Sequence, residues 1–287
     1  MKLFLFLSLL IGSQAWAEWS VSSYNIRNFD HDTVAGQTNI NELGKIITTF
    51  KSDVMTFIEV VNLPAFKNVI ASHLPDYEVR SSACGGLGKQ KIAVIFDTKV
   101  FKFVEQSEDL TFSGSANSCG SLRPVLLVTL ERKADKKTFI FAGVHLKAGG
   151  DDLAMQKRWA QYVLVSKLAK QYASKDFIMM GDFNTTGYNL KNEDYDNFQS
   201  NLKDAALHSM SEKLACTSYW EGILENGQHQ SSVLDHIILN NNQVDQVQNV
   251  HLGAHCAELD CHDATPEELG VTYESVSDHC PIQVTFK

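Results

Sequence analysis

At 287 residues and 44% hydrophobic content, the chain is long enough to bury a sizeable core as one α/β or sandwich domain. Its formal charge of -9 excludes a protein that holds nucleic acid by a broad basic surface. The same balance leaves room for an enzyme that meets a polyanion through a metal ion and a few local cations.

Residues 1–17 read as a cleaved signal peptide. Lys2 supplies the positive start, an apolar run covers 3–11, and Ala15-Trp16-Ala17 makes a small-x-small cleavage site ahead of Glu18. The apolar run is about half the ~20 residues that a membrane span needs. The expectation is therefore a protein exported to the periplasm or the medium, with no stable membrane association. The mature chain, 18–287, then loses Lys2 and stands at -10.

From its start, an apolar strand covers 19–26. Asn39 with Glu42 makes a capping-box-like opening to a helix that carries Leu43, Ile46, Ile47 and Phe50 at helical spacing. A second strand, 53–60, is apolar almost throughout, as suits a strand buried on both faces. Asn62 and Pro64 open another helix with Phe66, Val69 and Ile70 turned inward. Strands are expected over 91–96, 100–104, 125–131 and 138–145, then a helix over 152–173 that contains no Gly or Pro. The last strands fall at 177–183, 233–239 and 281–286, and polar loops at 83–89 and 187–196 separate the elements. No linker or composition shift divides the chain, so one domain is expected. The strand–helix–strand unit at 19–60 resembles the one at 138–183, which suits two mixed sheets packed face to face with helices outside.

Six cysteines, Cys84, Cys119, Cys216, Cys256, Cys261 and Cys280, favour disulfides in an exported chain. Cys256–Cys261 and Cys84–Cys119 are the expected local pairs. The run from His255 to His262 also admits a Cys/His zinc site, which an oxidising compartment disfavours by competing for the thiols. Thr217-Ser218-Tyr219-Trp220 is aromatic and reads as core packing or a strand edge.

Strand after strand ends in a polar residue that an inert loop would not require: Asn25, Glu59, His145, Asp182 with Asn184, Asp235-His236, and Asp278-His279. Singly, each is a turn residue or a structural histidine. Together they are the inventory of metal-assisted phosphoryl chemistry, gathered where loops converge. Mg²⁺ prefers oxygen ligands, here Glu59 with Asp278 and Asn25, while the imidazoles supply proton transfer or charge stabilisation.

The runs Tyr24-Asn25-Ile26-Arg27-Asn28-Phe29, Ile58-Glu59-Val60, Gly143-Val144-His145-Leu146-Lys147, Gly181-Asp182-Phe183-Asn184, Leu234-Asp235-His236-Ile237 and Ser277-Asp278-His279-Cys280-Pro281-Ile282 resemble, in order, the motifs of the endonuclease/exonuclease/phosphatase superfamily. The pancreatic-type deoxyribonuclease-like branch is the most similar. The resemblance implies an α/β fold, a four-layered sandwich of two mixed β-sheets with helices outside and the site on one rim. It also implies roles by position. Glu59 resembles the principal metal ligand, with Asn25 beside it and Asp278 assisting. Asp182 resembles the residue that orients or deprotonates the attacking water, and Asn184 one that holds the phosphate. His279 resembles a phosphate contact whose tautomer Asp235 fixes, and His145 the second histidine near the leaving oxygen. Arg123 and Lys147 are candidate phosphate contacts. The branch usually places an acidic partner for the first histidine where this chain has Gln90, so the resemblance implies either that His145 is a weaker acid or that Lys147 shares the work.

The expected activity is metal-dependent hydrolysis of DNA phosphodiesters, with RNA also in range, by a monomer. Mg²⁺ is the expected cofactor, Mn²⁺ a substitute and Ca²⁺ a structural ion. A sphingomyelinase-like phosphodiesterase is the alternative, and it calls for an exposed apolar hairpin that the sequence does not display. A non-catalytic binding protein ranks last, because Glu59, Asp182 and His279 are all present.

Overall fold

A computed structural model describes residues 18–30, 36–222 and 227–287, so the expected signal peptide lies outside the described residues. The strands are β1 (Trp19–Asn25), β2 (Val54–Val60), β3 (Tyr77–Ser81), β4 (Lys91–Asp97), β5 (Phe101–Asp109), β6 (Val125–Arg132), β7 (Thr138–His145), β8 (Asp176–Asp182) and β9 (Leu207–Ser209), followed by β10 (Ser218–Trp220), β11 (Gln230–Ser232), β12 (Asp235–Asn240), β13 (Val247–Leu252) and β14 (Ile282–Phe286). They form one sheet in the order β13-β14-β1-β2-β4-β3, a second in the order β5-β6-β7-β8-β12-β9, and a ribbon of β10 and β11.

Each sheet contains one parallel pair, β1 with β2 and β7 with β8. A parallel pair needs a crossover. Helix α1 (Ile40–Thr49) supplies the first; after α2 (Leu63–His73), α3 (Asp152–Gln171) supplies the second. The two repeated units read from the sequence are these two crossovers. Their starts are chemically specified: Asn39 accepts from Glu42 N, Asn62 from Ala65 N and Asp151 from Ala154 N, each satisfying an otherwise orphaned helix donor.

Burial separates four layers. Leu43, Ile47, Phe66 and Ile70 press α1 and α2 onto Phe57 and Ile95 of the first sheet. Tyr162 and Val165 of α3 and Phe198 of α4 (Glu193–Asp204) do the same against Phe177 and Met179 of the second. Between the sheets lie Trp19, Val94 and Phe96 on one side and Phe139, Phe141 and Met180 on the other. The sheets approach closely at Gly143, where an added Cβ would lie 2.5 Å from Ile92 Cγ2 of the facing sheet.

Several boundaries differ from the sequence expectation. Strand β5 runs on to Asp109 through exposed, polar residues that carry no apolar signal. Helix α3 stops at Gln171, and α4 begins inside the expected 187–196 loop, with Asn192 as its cap. The short α5 (Asn241–Val244) and α6 (Ala254–Glu258) and the helix α7 (Pro266–Ser275) were not anticipated, although α7 opens on a full Thr265/Glu268 capping box. No helix among the described residues is long and apolar enough to cross a membrane.

The disulfides correct one pairing. Cys84–Cys119 forms as expected, but Cys256 joins Cys280 and Cys216 joins Cys261. The chain turns at Asp260 and Cys261, both with positive φ, while Cys256 faces the buried cluster that contains Cys280. With those thiols oxidised, the segment offers no thiolate for zinc.

Candidate active site

The polar strand ends meet on one rim. Asn25 and Glu59 come from the C-terminal ends of β1 and β2, and His145 and Asp182 from those of the parallel β7 and β8. Antiparallel β12 and β14 start where these strands end, so Asp235 pairs with Asp182 in register and Asp278-His279 arrives just ahead of β14. Gly181 allows β8 to lie close against β7 just before Asp182: at φ +148, an added Cβ would lie 1.9 Å from the Val144 carbonyl oxygen. The backbone is strained where the polar groups are aimed, with φ of 68° at Glu59 and 51° at Asn184.

Asn25 bridges two carboxylates, donating from Nδ2 to Glu59 Oε1 at 3.3 Å and to Asp182 Oδ2 at 3.0 Å. Its oxygen accepts the Arg27 N–H, and Glu59 also accepts the Asn28 N–H at 2.8 Å. Asp182 accepts the Asn184 N–H at 2.8 Å. The Asp182 Oδ2 lies 3.8 Å from Nε2 of His145 and 3.8 Å from Nε2 of His279. The far side of His279 is held by Asp235, with 2.7 Å between Nδ1 and Oδ2.

These surroundings separate the two imidazoles. Burial works against the charge of His279, but Asp235, Asp182 and Asp278 outweigh it and raise its pKa well above the ordinary value. For His145, burial and then the nearby cations Arg123 and His279 hold the ring neutral. Burial also raises Asp182, with Asp235 and Glu59 adding to it and His279 opposing, to about 7. Glu59 is raised by burial and by Asp278.

The remaining sequence candidates divide. The Arg123 guanidinium donates to the Leu146 carbonyl, and the charges of Glu59 and Asp182 act on it. Lys147 is not brought to the carboxylates; its ammonium donates to the Ala148 carbonyl. Gln90 donates to Asn28 Oδ1, and His145 Nδ1 is buried without a partner among the described residues. His236 points away from the rim, between Thr185 Oγ1 at 2.9 Å and Ser209 Oγ at 2.8 Å.

Arg158 was missed. It is fully buried on α3, paired with Asp194, and donates to the carbonyls of Lys147 and Gly149 and to Thr186 Oγ1. It therefore ties together the loops that follow His145 and Asn184. Its sequence signal was slight, an Arg with no charge partner at helical spacing whose acid lies 36 residues on.

The donor set fits a hard divalent cation. Ligand atoms of Glu59, His145 and Asp182 lie within 4.8 Å of one another, and Asp278 Oδ1 is buried with no partner among the described residues. Crowded carboxylates with an unsatisfied oxygen are what such an ion would neutralise. Beside Asn184 opens a cleft of about 350 Å³ with no charged residue in its lining, where Trp220 is 46% exposed and Asn189 and Gln230 add amides.

Over residues 22–279 the chain matches the Endonuclease/Exonuclease/phosphatase family, whose enzymes hydrolyse phosphate esters and typically use divalent metal ions. A search among curated proteins finds no match. Similar solved structures include D. rerio TDP2 complexed with a single strand DNA product, at 15% identity and a TM-score of 0.66 over 94% of this chain and 99% of that one. The human Nocturnin catalytic domain follows at 19% identity and 0.64, over 94% and 93%. A mannosyl-6-phosphatase of Bacteroides thetaiotaomicron shares 20% identity at 0.62, over 93% and 98%. These likenesses support the fold, and the family match covers the whole rim from Asn25 to His279: the chain belongs to the Endonuclease/Exonuclease/phosphatase family.

Proposed function

We propose that this chain is an exported nuclease that hydrolyses DNA phosphodiesters, with RNA as a second substrate, using Mg²⁺ or Mn²⁺. The observation that carries the reading is the convergence of Asp182, between two imidazoles of opposite charge preference, with Glu59 and Asp278 on the same rim. The uncharged cleft beside Asn184 supports a nucleic acid over a compact anion, since it suits the neutral part of a nucleotide next to the reacting phosphate. The DNA product bound to TDP2 supports the same substrate class.

Glu59 and Asp278, with Asn25 beside them, would hold the metal, which supplies charge neutralisation at the phosphate oxygens. Asp182 takes the proton of the water that attacks phosphorus, and a pKa near neutrality suits that task. His279, kept protonated and oriented by Asp235, donates from Nε2 to a non-bridging oxygen. Asn184 adds an amide donor. His145 is neutral and lies toward the leaving oxygen, where it donates a hydrogen bond and is a weak acid.

The deciding assay is purified mature protein on plasmid DNA, RNA, sphingomyelin and a sugar phosphate, with Mg²⁺ or with EDTA. Cleavage of nucleic acid that EDTA abolishes is the expected result. Turnover confined to lipid or sugar phosphate, or unaffected by EDTA, would overturn the reading.

A further inference from the structure

We propose that Thr217 is a positioning residue that sets the Asp235–His279 pair from behind, an inference that rests on the role just given to that pair. Thr217 is completely buried and reaches the backbone of Asp235 and of Cys280, next to His279, through different atoms. Its Oγ1 accepts the N–H of Leu234 at 2.9 Å and the N–H of Asp235 at 2.9 Å. Its carbonyl accepts the Cys280 N–H at 2.8 Å, and two residues on, the Tyr219 N–H donates to the Asp278 carbonyl at 2.9 Å. The backbone of His279 is thus clamped on both sides by residues 217 and 219, in an isolated bridge opposite Ser218.

The side-chain contact matters because Asp235 has little else to orient it. Its Oδ2 is committed to His279, and its Oδ1 is buried with no partner among the described residues. The direction of the carboxylate therefore follows its backbone, and the Thr217 hydroxyl fixes that backbone by accepting two successive N–H groups. Without the hydroxyl those buried donors lose their acceptor, and the chain at 234–235 must shift to satisfy them. The strut is itself anchored, since the preceding Cys216 is cross-linked to Cys261 and Thr217 N donates to the Ser232 carbonyl at 2.7 Å.

The test compares Thr217→Val, which keeps the shape and removes the acceptor, with Thr217→Ser, which keeps the acceptor. Two readouts are needed: steady-state kinetics on a DNA substrate, and the proton NMR signal of the His279 Nδ1–H, whose downfield position reports its hydrogen bond to Asp235. Thr217→Val should lower kcat roughly 10- to 100-fold, the range for partners that orient a reacting imidazole, with KM within about twofold. It should also shift that signal upfield or broaden it by exchange, and Thr217→Ser should recover most of both effects. An unchanged Nδ1–H signal in folded Thr217→Val, or no recovery in Thr217→Ser, would overturn the proposal. If the wild-type protein cleaves no nucleic acid, the proposed function fails while the Nδ1–H signal still decides the coupling between Thr217 and the pair.

Discussion

The carboxylate of Asp235 lies 2.7 Å from Nδ1 of His279, so this imidazole presents Nε2 to the rim and keeps its proton. Asp235→Asn should lower kcat about 10- to 100-fold, in line with the loss of an orienting partner. His279→Ala should cost more, about 10²- to 10⁴-fold, since it removes the reacting group itself. Steady-state rates on a DNA substrate check both, and equal effects of the two changes would argue against an orienting role for Asp235.

Mutual repulsion on the rim makes a second prediction thermodynamic. Burial and the charge of Asp278 raise Glu59. Metal binding should therefore stabilise the fold, by about 2.7 kcal/mol at a hundredfold excess over Kd. Glu59→Gln should raise the metal-free melting temperature and remove most of the Mg²⁺-dependent increase. Calorimetric scans with and without Mg²⁺ measure this, and a full Mg²⁺ response in the variant would place the ion elsewhere.

Arg158 and Asp194 form a fully buried ion pair. Removing one partner leaves the other charged and desolvated, at a cost of about 3–5 kcal/mol. Arg158→Met and Asp194→Leu should each destabilise the chain by that order, and the double variant by less than the two together. Urea unfolding of the four proteins closes the cycle. Because Arg158 also holds the carbonyls of Lys147 and Gly149, the folded fraction of Arg158→Met should have reduced kcat.

His236 provides the pH dependence of stability. Burial lowers its pKa from 6.5 to about 3, and burial likewise lowers His255 to about 4. An unfolded chain takes up these protons below pH 6.5, whereas the native chain refuses them until much lower pH. The contribution of these two rings to stability is thus intact above about 6.5 and declines toward pH 3, by up to about 1.4 kcal/mol per pH unit for each ring. His236→Gln should flatten part of that slope in chemical unfolding curves collected from pH 7 to 4.

Most of the rim was legible in the sequence because its residues close apolar strands. Glu59 follows five fully buried residues and Asp182 another five, so each polar residue stood out as a break in an apolar run. Arg158 was not legible, since a lone Arg on a helix reads as solvated and its burial depends on an acid from α4. Lys147 was legible as a cation near His145, but sequence adjacency says nothing about where a flexible ammonium turns. Cysteine spacing failed for a similar reason: Cys256 and Cys261 are neighbours along the chain, while the turn at Asp260 sends their sulfurs to different partners. Thr217, read as part of an aromatic segment in the core or at a strand edge, makes its bonds through a hydroxyl and a carbonyl that no composition pattern singles out.

Glu59 hangs from one sheet and Asp182 from the other, so the gap between the sheets works as a caliper for the rim. One close approach across it lies at Gly143, two residues along β7 from His145, where an added Cβ would meet Ile92 Cγ2 at 2.5 Å. Gly143→Ala would wedge that gap open from inside the hydrocarbon core and move the two carboxylates apart without altering either. In this fold the width of the oily interior sets the spacing of the polar rim.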